Sequence, residues 1–265
     1  MLDSVLPWVL IFMFGAAIGS FLNVVIYRLP AGISLLFPPS RCPRCNTPLK
    51  FYDNVPIVGW LWLKGRCRYC RVTISPRYPL VELTCGLLFV ALFGHFGWHW
   101  ETPAYWILAS WLIALTLIDV DTLTLPNPLT ISGVWLGWCT HSFLAAGNNQ
   151  PLTVALAASV AASILGLWLF DGISLIGAFV TGKTVMGGGD GKLAAMLGAW
   201  LGWQGLLLSL LLASILGALI GSLGVAMGLL SRRQPIPFGP FLAFGAGISV
   251  FFGNALIQGY LELLF

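Results

Sequence analysis

The chain has 265 residues, of which 58% are hydrophobic and 8% charged, and its mean hydropathy is +0.91. A soluble domain carries about a quarter charged residues, so this composition excludes a soluble globular protein and requires a polytopic membrane protein. The net charge of +4 is unevenly spread: nine of the thirteen Lys and Arg lie from Arg28 to Arg77, and the rest are Lys183, Lys192, Arg232 and Arg233.

About 20 apolar residues cross a bilayer as a helix. The first such run is 8–27, and no basic stretch precedes it, so a span rather than a cleaved signal is expected. A polar segment rich in Pro and Cys follows over 28–79. Spans are then expected at 80–98 and 103–118. The segment 119–127 reads as a loop, because Pro126 and Pro128 oppose a continued helix. Further spans fall at 129–146 and 152–180. A glycine-rich loop, 181–192, precedes a short apolar run at 193–203. The chain continues with a span at 206–230, a basic Pro-rich loop at 231–240, and a last span at 241–264.

Counting 193–203 as a short span gives eight. With the N-terminus outside, every Lys and Arg then lies on the cytoplasmic side, as the positive-inside rule requires. A re-entrant 193–203 would put Arg232 and Arg233 outside. The expected fold is therefore all-α and polytopic, with about eight transmembrane helices and both termini outside. Its domains are a first transmembrane helix (1–27), a cytoplasmic zinc-binding segment (28–79) and a transmembrane domain (80–265).

Cys42-Pro43-Arg44-Cys45 and Cys67-Arg68-Tyr69-Cys70 form a paired C-x-x-C array with 21 residues between the pairs. Four thiolates at this spacing close a tetrahedral zinc site, each pair supplying a knuckle turn. A cytoplasmic segment keeps its thiols reduced, which favours metal over disulfides. All four positions are used, so the expected role is structural: a segment of about 50 residues has too small a core to fold unaided, and metal supplies that free energy. Cys85 and Cys139 read as small apolar core residues. The basic character of the segment fits topology and contact with anionic lipid better than nucleic-acid binding.

Among the nine acids, Asp119, Asp121 and Asp190 fall at inner membrane boundaries. Ionisable groups at membrane depth are costly and usually functional. Two carboxylates sharing a site divide into an acid and a base, enough to activate a water and protonate a leaving amine. Gly187, Gly188 and Gly189 would allow positive φ and close backbone approach beside Asp190. If 119–121 is helical, Asp119 and Asp121 point to different faces and only one meets Asp190. The residues alone leave two other readings open: a polar helix stop at Asp119-Val120-Asp121, and Asp190 as the N-cap of a helix starting near Lys192. A P-loop pattern at 177–184, ending in Lys183-Thr184, lacks the required strand-to-helix context.

Five blocks together resemble the type 4 prepilin peptidases, bacterial inner-membrane aspartic proteases of the GxGD type. They are Gly19-Ser20-Phe21-Leu22-Asn23-Val24-Val25-Ile26-Tyr27-Arg28-Leu29-Pro30, the C-x-x-C pairs, Arg77-Tyr78-Pro79-Leu80-Val81-Glu82, Ile118-Asp119 with Leu125-Pro126, and Gly187-x-Gly189-Asp190-x-Lys192. The resemblance implies cleavage of the basic leader of prepilins, or of type II secretion pseudopilins. The cut falls on the cytoplasmic side, after a Gly and before an apolar helix. It also implies N-methylation of the new terminus with S-adenosylmethionine, served by the N-terminal half with the zinc segment and the 82–86 region. The family's catalytic pair corresponds to Asp119 and Asp190, with Asp121 a bystander or auxiliary. Asn127 stands where the family commonly has Asp. The expected partners are prepilin or pseudopilin substrates and the bilayer, with no nucleic acid. No soluble methyltransferase fold and no donor-site residue is legible.

Overall fold

The computed structural model describes residues 2–147, 149–182, 187–231 and 234–264. Lys183 and Thr184, which end the P-loop pattern, and Arg232 and Arg233 lie outside the described residues. Helices account for nearly all regular structure: α1 (Leu2–Arg28), α2 (Val58–Trp62), α3 (Arg77–Phe96), α4 (Glu101–Thr122), α5 (Asn127–Gly147), α6 (Leu152–Thr181), α7 (Gly188–Ala226) and α8 (Gly239–Leu264). Among the described residues, six helices are long and apolar enough to cross a membrane: α1, α3, α4, α6, α7 and α8. In α5, Thr130 donates to the Asn127 carbonyl and Thr140 to the Leu136 carbonyl of the same helix, whereas the buried Ser142 hydroxyl has no hydrogen-bond partner among the described residues.

Two compact units divide the chain, residues 1–114 and 115–265, with the boundary inside α4. In the first unit α1 and α3 touch backbone to backbone. A Cβ on Gly19 would stand 2.8 Å from Glu82 Cα, and one on Gly15 would stand 2.9 Å from Gly86 Cα. Small residues let membrane helices approach this closely, where dispersion rather than water exclusion drives association. Phe89, fully buried, stacks on Trp106 with ring centroids 5.0 Å apart, and the Trp106 indole donates to the Phe89 carbonyl.

In the second unit α7 is two helices. Gly202 has φ 69° and ψ −179°, a backbone state that is essentially glycine-only. The packing partners establish a reversal there. Gly189 lies against Leu125 and Gly191 against Phe170, near the inner ends expected for the spans. Gly205 lies against Ser249, well along α8, and Gly217 lies back against Phe238 and Phe241, at the start of α8. The first limb, 188–201, therefore climbs and the second, 203–226, returns. With α1, α3, α4, α5, α6 and α8, the two limbs make the expected eight. Over about 14 residues the first limb rises only about 21 Å, short of the roughly 30 Å hydrocarbon core. Its far end is fixed by the Trp200 indole donating to the Gly133 carbonyl and by Ser159 donating to the Ala199 carbonyl.

Three boundaries differ from expectation. Helix α4 continues through Asp119 to Thr122, and Leu123, at φ 53°, ends it; the prolines break the chain only after that point. Pro128 sits in the first turn of α5, where its missing N–H costs nothing. Helix α7 begins at Gly188, so Gly188, Gly189 and Asp190 are helical rather than part of a loop.

Candidate active site

Asp119 lies on the last turn of α4 and is 5% exposed. Its Oδ2 accepts a hydrogen bond from the Gly239 backbone N–H at 2.8 Å. Gly239 opens α8, and a Cβ there would stand 2.7 Å from that same oxygen. Gly239 is the residue that sequence reasoning missed. The available signal was Pro237-Phe238-Gly239-Pro240, a glycine between prolines at the start of a span.

Asp190 occupies the first turn of α7 and is half-buried. It is not the N-cap. Gly187 fills that position with extended backbone, φ −74° and ψ 139°. None of Gly187, Gly188 and Gly189 takes a positive φ. At Gly189 the requirement is instead space, since a Cβ would stand 3.2 Å from the Leu125 side chain. Gly189, the neighbour of Asp190, packs on Leu125, six residues after Asp119, so the start of α7 meets the segment that follows α4. Two residues on, the Lys192 ammonium donates to Asn127 Oδ1 at 2.7 Å, tying the start of α7 to the start of α5. Asp121 falls on the exposed side of α4, about 200° around the helix from buried Asp119.

The pair is recessed. Helix α6 passes Gly191 at Leu167 and Phe170, then runs on to Thr181, roughly 16 Å further. The second limb of α7 passes Phe241 at Gly217 and continues to Ala226, roughly 13 Å further. Both extensions expose large apolar side chains, among them Leu175, Phe179, Leu219 and Leu223. Asp119 and Asp190 stand at ends of their own helices, yet below the ends of their neighbours.

The four cysteines of 28–79 converge, their sulfurs all within 4.8 Å of one another. Cys42 and Cys70 sulfurs are 3.7 Å apart, and Cys45 and Cys67 sulfurs 4.0 Å. Four sulfurs at about 2.3 Å from a tetrahedral zinc are about 3.8 Å from each other, so the cluster fits such a metal. Both pairs use the same turn. The Cys42 carbonyl accepts from Asn46 N–H and the Cys67 carbonyl from Arg71 N–H. Asn46 and Arg71 both have positive φ, and bridges Arg41–Pro48 and Arg66–Thr73 close the two turns. The Thr47 hydroxyl and backbone hold the Cys45 thiol down to about 6. Backbone N–H groups of Cys70 and Tyr69 lower Cys67. Although a Val72 backbone bond favours its thiolate, Cys70 is raised to about 11 by burial and by the neighbouring sulfurs.

Among the described residues, six helices long and apolar enough to cross a membrane make this a multi-pass membrane protein, and the comparisons make it a membrane aspartic peptidase. The N-terminal part, residues 13–96, matches the bacterial peptidase A24 N-terminal domain, and residues 106–222 match the type IV leader peptidase family. The chain is 40% identical to the prepilin leader peptidase/N-methyltransferase of Stutzerimonas stutzeri, over 94% of this chain and 91% of the relative. It is 41% identical to that of Aeromonas salmonicida, over 98% and 96%, and 38% identical to that of Pseudomonas aeruginosa, over 94% and 91%. No solved structure matches. The chain belongs to the type IV leader peptidase family.

Proposed function

We propose that this chain cleaves the basic leader of type IV prepilins or of type II secretion pseudopilins after a Gly, at the cytoplasmic face of the bacterial inner membrane. Asp119 and Asp190 are the catalytic pair. One carboxylate takes a proton from a water as the water attacks the scissile carbonyl; the other, protonated, gives its proton to the departing amine. The two titrate as a unit, since like charges in one site resist joint ionisation. The observation that supports this reading is the packing of Gly189, next to Asp190, on Leu125, six residues after Asp119, with one Asp119 oxygen fixed by the Gly239 N–H. Membership of the leader peptidase family and the names of the relatives support the substrate class.

The same names support a second activity, N-methylation of the new terminus, for which S-adenosylmethionine would supply the methyl group. Cys42, Cys45, Cys67 and Cys70 hold a structural zinc in this reading, with no position left open for substrate.

The test uses purified protein in lipid with a membrane-anchored peptide carrying a basic leader, Gly-Phe and an apolar helix, followed by mass spectrometry. A cut between Gly and Phe is expected, with a further single-methyl increase only when S-adenosylmethionine is present. Cleavage without that increase would leave a peptidase alone. No cleavage across several leaders by folded protein would overturn the reading and bring forward a transporter using its membrane carboxylates.

A further inference from the structure

Two observations in the first unit bear on how the zinc segment meets the bilayer. The Ile57 backbone N–H donates to Glu82 Oε2 at 2.6 Å, and Ile57 is the N-cap of α2. Glu82 is buried on the second turn of α3, a span. Helix α2 therefore begins at the depth of the first turns of a membrane helix. From that level it exposes Val58, Leu61 and Trp62, the last at 79%. Three apolar side chains, one of them a tryptophan, suit the headgroup boundary and are a poor choice for a surface facing only water.

The second observation is charge. Immediately after α2 the chain forms a groove of about 520 Å³ lined by Trp62, Leu63, Lys64, Arg66, Arg68 and Arg71. Arg68 is engaged by Asp53. Lys64, Arg66 and Arg71 have no carboxylate within ion-pair distance among the described residues. Clustered cations without counter-charges cost self-repulsion, and an anion seated among them relieves it. The apolar wall of the groove, Trp62 and Leu63, adjoins the cations, so the complementary ligand has a phosphate at one end and hydrocarbon at the other.

We propose that this groove is a binding site for an anionic phospholipid: the headgroup phosphate sits among Lys64, Arg66 and Arg71, and the acyl chains run past Trp62, Leu61 and Val58. The proposal does not depend on the assignment of the peptidase pair. It fixes the zinc segment on the membrane surface by contacts that neither α1 nor α3 provides.

The experiment uses full-length protein in nanodiscs containing photoactivatable phosphatidylglycerol or photoactivatable phosphatidylcholine with identical tails, with peptide mapping of the label. Phosphatidylglycerol is expected to label 58–71 preferentially, and the K64Q/R66Q/R71Q variant to lose that label about tenfold or more, while label on α8 stays constant. The charge-preserving R66K/R71K variant should retain it. Zinc content checks that the neutral variant is folded; if zinc is lost, the wild-type comparison of the two lipids decides alone. Equal labelling by both lipids would overturn the proposal. So would complete competition by inorganic phosphate, which would assign a soluble anion, or by a single-stranded oligonucleotide, which would assign nucleic acid.

Discussion

The Gly239 backbone N–H donates to Asp119 Oδ2 at 2.8 Å, joining residues 120 apart in sequence. The bond sets both the direction of the carboxylate and the identity of residue 239, because a Cβ at Gly239 would stand 2.7 Å from the oxygen it holds. Gly239→Ala therefore displaces Asp119 without removing it. A shift of about 1 Å in a catalytic group costs about a hundredfold in rate. Cleavage of the anchored leader peptide by this variant should fall by about that factor, with its elution from size exclusion unchanged. A wild-type rate would mean that the Gly239 contact does not govern the site.

Gly202 makes the reversal in α7 with a backbone conformation that other residues enter at about 1–3 kcal/mol. Gly202→Ala has space, since the nearest atom to a new Cβ is 3.8 Å away on His141, so the cost is conformational. The variant should unfold at a lower temperature in detergent. An unchanged midpoint would argue for one continuous helix.

Glu82 satisfies the Ile57 N–H, and Ile57 itself carries φ 62°, unfavourable for a β-branched residue. Glu82→Ala leaves that donor without its partner, at about 1–3 kcal/mol. Hydrogen exchange over 57–62 should accelerate in Glu82→Ala and recover in part in Glu82→Gln. Equal exchange in all three proteins would remove Glu82 as the clasp of α2.

The zinc assignment predicts one metal ion per chain, and its loss in Cys42→Ser. Chelation should open 40–72 to proteases while the spans remain inserted, because that segment has little core of its own. Metal content of zero in freshly purified, folded protein would leave the four thiols as simple reduced cysteines.

Much of this was legible in the sequence because membrane helices and C-x-x-C knuckles are written locally. The spans follow from runs of apolar residues, and the metal cluster follows from spacing. The short 193–203 run was recognisable as a span by charge parity, though Gly202 gave no sign of its φ. What escaped was non-local. Asp119 sits in a helix rather than a loop because α4 outlasts its apolar run by one turn. Gly189 is required by Leu125, 64 positions earlier, and not by its own backbone angles. The recess of the aspartates depends on where Gly191 and Gly217 meet their neighbours, which no periodicity encodes. Asn127 kept its place in the site as the acceptor for Lys192, using an amide where the resembling family commonly has a carboxylate.

The most direct test of the account compares cleavage rates of wild type, Asp119→Asn, Asp190→Asn and Asp121→Asn, each reconstituted in lipid and matched for zinc content. The account predicts that the first two substitutions abolish cleavage and that Asp121→Asn, altering an exposed side chain on the far side of α4, cuts at close to the wild-type rate. Wild-type cleavage by either Asp119→Asn or Asp190→Asn would contradict it.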